Sequence, residues 1–143
     1  MSSTRAPRLL TLGEAFEDLV FLELERLPRP GEEVKTSCFV QTIGGGAVTT
    51  AVAAARLGID CEIWSGLGDV AAARLAEERV RVTNLRRHGE PHAITAALST
   101  RTNRSFVTYN GINDVLEPRL LARLPRVRAT HAHFAFFPKD CSS

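Results

Sequence analysis

The chain has 143 residues, 44% of them hydrophobic and 24% charged, which is enough apolar content for one buried core and argues against a disordered chain. Lysine and arginine total 18 against 16 acidic residues, so the formal charge of +2 lacks the strongly basic balance of a nucleic-acid or membrane-surface binder. Cys38, Cys61 and Cys141 are odd in number and show no metal-ligand spacing; they read as reduced thiols of a cytoplasmic protein. The N-terminal apolar run is too short for a signal peptide, and no run approaches the length that spans a bilayer.

In chain order, Leu9 to Leu12 is a short apolar run halted by Gly13, which suits a buried parallel strand. Asp18 to Leu24 is a second extended segment, closed by the turn residues "PRPGE". Val34 to Ile43 mixes β-formers with polar residues and predicts a half-exposed strand. Gly46 to Leu57 is an alanine-rich helix stopped by Gly58. A strand over Cys61 to Trp64, then Gly66 and Gly68, leads into a helix over Ala71 to Val80. Strand, helix, strand, helix is the order of an α/β layer. His92 to Leu98 and Ser105 to Tyr109 form a hairpin about a polar turn at Thr102 and Asn103. A helix capped by Asn113 or Asp114 follows, with Pro118 in its first turn. The last strand lies within "ATHAHFAFF" and ends at Pro138.

The stretch "IGGGAVTTAVAAARLG", Ile43 to Gly58, is compatible with a phosphate cradle, a sugar-binding shelf or a tight entry into a packed helix. It is neither a G-x-x-x-x-G-K-[ST] loop nor a G-x-G-x-x-G fingerprint after a clean strand. His131 and His133 fall on one face of the last strand, a spacing that suits a metal, but no third ligand accompanies them; they read as strand histidines and no metal is assigned. The pairs Arg79/Arg81 and Arg86/Arg87 read as a solvated basic face.

Four segments together resemble the PfkB/ribokinase family of carbohydrate kinases. "GGGAVTTAVAAARLG" is similar to its G-G-x-x-x-N-x-A signature and the helix that follows. "LTLGEAFEDLVFLELERLPRPGEEV" is similar to its opening strand, aspartate and P-x-P-G-E turn. "GLGD" resembles G-x-x-G-D, and "RSFVTYNGIN" resembles R-x-F-V-x-Y-x-G-A-N. The matches come in family order from Leu9 to Phe137. The resemblance implies the N-terminal part of a ribokinase-like three-layer α/β fold with a small β lid, its strands within about residues 18–43 and 92–109.

It also implies ATP-dependent, Mg2+-assisted phosphorylation of a sugar or nucleoside hydroxyl. Asp18 takes the role of the aspartate that accepts sugar hydroxyls, and Gly44 and Gly45 that of the double glycine beneath the sugar. The family asparagine falls on Thr49, which joins them in lining the acceptor site and can donate one hydroxyl bond there; this is a departure, since a hydroxyl cannot present the amide's donor and acceptor together. Between Asp69 and Val82 the chain is a few residues shorter than the family pattern, which predicts a tightened or misplaced turn.

The family's D-T-x-G-A-G-D motif, which carries the catalytic base and the anion-stabilising helix start, does not occur in this sequence. The resemblance therefore implies an acceptor-binding half without a catalytic residue of its own. Three readings stay open: that half, with its partner a C-terminal half on another chain; a non-catalytic sugar-binding or dimerisation module that self-associates through the lid strands; or a truncated gene product.

Overall fold

The computed structural model describes residues 8–135. It contains two four-stranded sheets that share no strand. The body sheet is wholly parallel, in the order β5 (Arg81–Asn84), β4 (Cys61–Ser65), β1 (Leu9–Gly13) and β8 (His131–Ala135). Its register places Leu12 beside Trp64 on one side and Phe134 on the other.

Alternation along β1 explains the layering. Leu10 and Leu12 point to one face and pack with Trp64, Leu85, Leu116 and Leu120, under helix α3 (Leu116–Arg123). Leu9 points to the other face, where Ala47, Ala51, Ile63, Leu67 and Leu75 form the core beneath α1 (Gly46–Arg56) and α2 (Asp69–Glu77). The result is three layers, with each fully buried leucine contributing about 1.5–3 kcal/mol. The alanines of α1 allow the close approach expected of them, since Ala47, Ala51 and Ala54 are all buried.

The lid sheet is mixed, in the order β3 (Cys38–Gly44), β2 (Phe16–Leu24), β6 (Ile94–Thr100) and β7 (Arg104–Tyr109). Its β2 runs antiparallel to β3 and parallel to β6, and β6 and β7 form the expected hairpin. The chain crosses between body and lid after Gly13, at Gly44 to Gly46, before Ile94 and after Tyr109.

Several boundaries differ from the sequence reading, each for a visible reason. β2 begins at Phe16 rather than Asp18 because pairing runs on to Gly44 of β3. β3 begins at Cys38 rather than Val34: the Thr36 hydroxyl donates to the Leu22 carbonyl at 2.6 Å and accepts from the Cys38 N–H at 3.0 Å, which turns residues 34–37 out of the ladder. Helix α2 spans Asp69–Glu77, not Ala71 to Val80, because Gly68 stands at its N-cap and Arg79 turns left-handed at φ 61°. The strand β5 was not expected at all; four residues, "RVTN", are too few for alternation to register.

Neither Asn113 nor Asp114 caps α3. Gly111–Val115 forms a 3-10 turn, Val115 takes the N-cap position, and Pro118 sits in the first turn as expected. The strand expected in "ATHAHFAFF" is His131–Ala135; Phe136, Phe137 and Pro138 lie outside the described residues.

Candidate functional site

The four crossings converge where β2, β3 and α1 meet. Asp18 lies in mid-β2, opposite Thr42 of β3 and beside Thr95 of β6, so the three side chains share one face of the lid. Gly44 follows two residues after Thr42 on the same face, and the Asp18 carboxylate lies over its α-carbon. A Cβ on Gly44 would collide with Asp18 Oδ2 and fall 3.1 Å from Cγ. The glycine therefore makes the room that the carboxylate occupies.

Gly45 is the N-cap of α1 at φ 101°, a conformation that favours glycine. A Cβ there would collide with the Glu14 carbonyl and fall 3.1 Å from the Ala15 Cα. Three of the expected site residues are thus brought together: Asp18, Gly44 and Gly45 line one shelf at the start of α1, where the helix terminus favours anions and hydroxyl oxygens.

Burial pushes the Asp18 carboxyl above its usual range. Among the described residues nothing donates a hydrogen bond or offers an ion pair to that carboxylate. Its two oxygens are free to accept two hydroxyl protons at once.

Thr49 is turned away from this arrangement. Its hydroxyl donates to the Gly45 carbonyl at 3.1 Å, four residues back, the same carbonyl that takes the Thr49 N–H at 3.0 Å. Its outer side faces a groove of about 470 Å³ between β3, α1 and α2, lined also by Thr42, Val52, Arg56 and Arg74; Asp18 and Gly44 lie outside that lining. The threonine at this family position therefore keeps its proton for its own helix.

Residues without a sequence signal hold the lid against the body. The Glu17 carboxylate lies 2.8 Å from His92 Nε2 and accepts from Gln41 Nε2. The His92 ring fills the space where Gly68 lacks a side chain, since a Cβ there would fall 2.8 Å from His92 Cγ. Arg74 of α2 donates to the Gln41 carbonyl at 2.8 Å. Only the "GLGD" glycines hinted at such an approach, and nothing in their spacing says what arrives.

The other chemistry-bearing residues are separate. His133 Nε2 lies 3.2 Å from Thr50 Oγ1, and among the described residues no three histidine, cysteine or acidic side chains converge as metal ligands. Cys38, hydrogen-bonded to Glu23 at 2.9 Å, has its thiol held up by that carboxylate; Cys61, in the other sheet, is pushed up to about 11 by burial. Neither is a thiolate at neutral pH. No helix among the described residues is long and apolar enough to cross a membrane.

The fold has close counterparts. A ribokinase from Giardia lamblia superposes with a TM-score of 0.77 at 20% identity, over 91% of this chain and 42% of that one. A ribokinase from Cryptococcus neoformans var. grubii serotype A in complex with ADP superposes at 0.63 and 25% identity, over 76% and 35%. The Arabidopsis thaliana ribokinase complexed with ribose and ATP superposes at 0.56 and 24% identity, over 75% and 37%. This chain thus spans less than half the length of each. No curated protein matches it. The pattern of the pfkB family carbohydrate kinases, however, matches residues 6–138, and with that match over almost the whole chain, on a ribokinase-like body and lid, the chain belongs to the pfkB family.

Proposed function

We propose that this chain is the acceptor-binding half of an ATP-dependent carbohydrate kinase, taking a sugar or nucleoside hydroxyl pair on Asp18 above Gly44 and Gly45. One observation carries the reading: a partly buried carboxylate, free of hydrogen-bond and ion-pair partners among the described residues, lies on a glycine at the lid–body junction. Each hydroxyl bond to it is charge-assisted and contributes roughly 1.5–3 kcal/mol. Ribose is the first ligand to test, because it is bound by the Arabidopsis ribokinase. Titration calorimetry with ribose and with a nucleoside should show binding that Asp18→Ala abolishes; an unchanged titration in the variant would remove the reading.

Phosphoryl transfer requires a base, ATP and Mg2+. The sequence has no D-T-x-G-A-G-D segment, and among the described residues no three histidine, cysteine or acidic side chains converge as metal ligands. On this reading the nucleotide, the metal and the base belong to the rest of the kinase fold, on this or another polypeptide. The 143-residue chain alone binds its acceptor in the cytoplasm without phosphorylating it. Measurable ATP-dependent phosphorylation of ribose by the purified chain would contradict that.

A second reading has its own observation. The lid exposes Phe39, Val107 and Tyr109 on the face away from Asp18, apolar surface that marks interaction sites in soluble proteins. A homodimer through the lid strands covers it, and sedimentation equilibrium of the chain against Val107→Lys tests this: a dimer lost in the variant supports it, and a monomer throughout opposes it.

A further inference from the structure

We infer that Asn113 is a positioning residue for the acceptor shelf, acting through Ala15; the inference rests on the reading of Gly44 and Gly45 as that shelf. Asn113 is 8% exposed, in the 3-10 turn that follows the lid hairpin. Its side chain does not cap the helix behind it. Instead Nδ2 donates to the Ala15 carbonyl at 3.3 Å, across 98 residues of sequence. Ala15 itself is 3% exposed and forms the link between body strand β1 and lid strand β2.

The turn that carries Asn113 is fixed to the body. The Ile112 N–H donates to the Pro91 carbonyl at 2.9 Å, and the Ile112 side chain, 2% exposed, packs so close to Gly66 that a Cβ there would fall 2.6 Å from it. From this fixed point the amide holds Ala15. Glu14 and Ala15 in turn press on Gly45, whose Cβ position their backbone occupies, and Gly44 next to it carries Asp18. The height and tilt of the shelf are therefore set by one side-chain amide that touches no acceptor.

The unused half of the same amide supports this. Asn113 Oδ1 is buried with no hydrogen-bond partner among the described residues, so the side chain is held for its donor alone. An apolar residue of equal size would fill the space without leaving an oxygen unpaired. The polar choice costs stability and gains the bond to Ala15.

Hydrogen exchange of the 143-residue chain tests the coupling without any ligand. In Asn113→Leu, exchange over residues 13–16 and 44–47 should rise by roughly three- to tenfold, the loss of one hydrogen bond, while the hairpin turn at 100–104 and helix α2 keep their rates. In the unmodified chain, the Asn113 side-chain amide protons should exchange at the rate of the Gly44 to Gly46 amides, which checks the proposal even where the variant does not fold. Unchanged rates at 44–47, a uniform rise over the whole chain, or side-chain protons that exchange far ahead of the shelf would each overturn it. Ribose titration is run beside it: affinity in Asn113→Leu should fall by a similar factor. Coupled exchange in a chain that binds no ribose sinks the acceptor reading and leaves the hold of Asn113 on the glycines standing.

Discussion

The body sheet and the lid sheet have four strands each and opposite fates. In the body, β1 and β4 are buried along nearly their whole length because helices cover both faces. In the lid, β3 has no buried residue and β7 is mostly exposed, with Phe106 at 61% and Val107 at 69%. Backbone hydrogen bonds alone hold a single layer poorly, and three or more strands need a covered face for independent stability. On the proposed function, the difference separates stability, which resides in the body, from recognition at the lid and its junction.

Core truncations give the largest test of that separation. Leu12→Ala removes a fully buried side chain between Trp64 and Leu116 and should cost about 2–5 kcal/mol in urea unfolding. Val107→Ala in the lid should stay within about 0.5 kcal/mol. A Val107→Ala cost as large as that of Leu12→Ala, and dependent on protein concentration, would break the comparison by showing that a second copy covers the lid in solution.

Asp18→Asn sharpens it at the junction, where function and stability should move in opposite directions. Ribose affinity should fall by roughly 10- to 100-fold, the loss of a charge-assisted bond. Stability should hold or rise. Burial raises the Asp18 carboxyl in the folded state, so the fold binds that proton more tightly than the unfolded chain does. The contribution is present at low pH and is lost as pH rises through the raised value, which makes the neutral-pH carboxylate a liability that asparagine relieves. Melting curves at neutral pH check the sign: a variant that melts clearly lower would mean that the carboxylate has a stabilising partner.

Much of this division is legible in the sequence, and the limits have physical causes. The run "LLTL" and the alanines after Gly46 announce a buried strand and a closely packed helix, because burial on both faces favours a nearly continuous apolar run, with Thr11 its one polar residue. The lid strands show through β-formers mixed with polar residues. Asp18, Gly44 and Gly45 could be named only through the family's signature; spacing alone leaves Asp18 a solvated carboxylate. Thr42 and Thr95, its neighbours in register, depend on cross-strand alignment that no local pattern encodes. The same holds for the clamp formed by Glu17, His92, Gln41 and Arg74, in which the nearest partners in sequence are 24 residues apart. Thr49 was expected to offer its hydroxyl to a ligand, and instead the helix's own Gly45 carbonyl takes it.

The smallest expected effect concerns the segment that leads from β5 in the body to β6 in the lid. Glu90 in this segment receives both Arg119 guanidinium nitrogens, at 2.7 and 2.5 Å, and the Arg87 N–H at 2.7 Å, while Arg119 also donates to the Leu85 carbonyl. These partners, the Arg119 bond first, hold the Glu90 carboxyl down at about 2. A carboxyl depressed in the fold adds stability above its unfolded value and loses it as pH falls toward the folded one, here from 4.5 down to about 2. Glu90→Gln keeps the size of the side chain and removes the charge. Unfolding free energies of the two proteins should differ slightly at pH 6 and converge by pH 2, with solvent screening at this surface site keeping the difference small. A difference that persists unchanged at pH 2 would show that Glu90 acts through its shape, and the linker would then be held by Arg86, which donates to the Glu90 and Leu67 carbonyls at 2.9 and 2.6 Å regardless of pH. Because Arg119 and Leu85 belong to the body, the acid loss should appear as a general weakening of the fold and leave the exchange pattern within the lid strands unaltered.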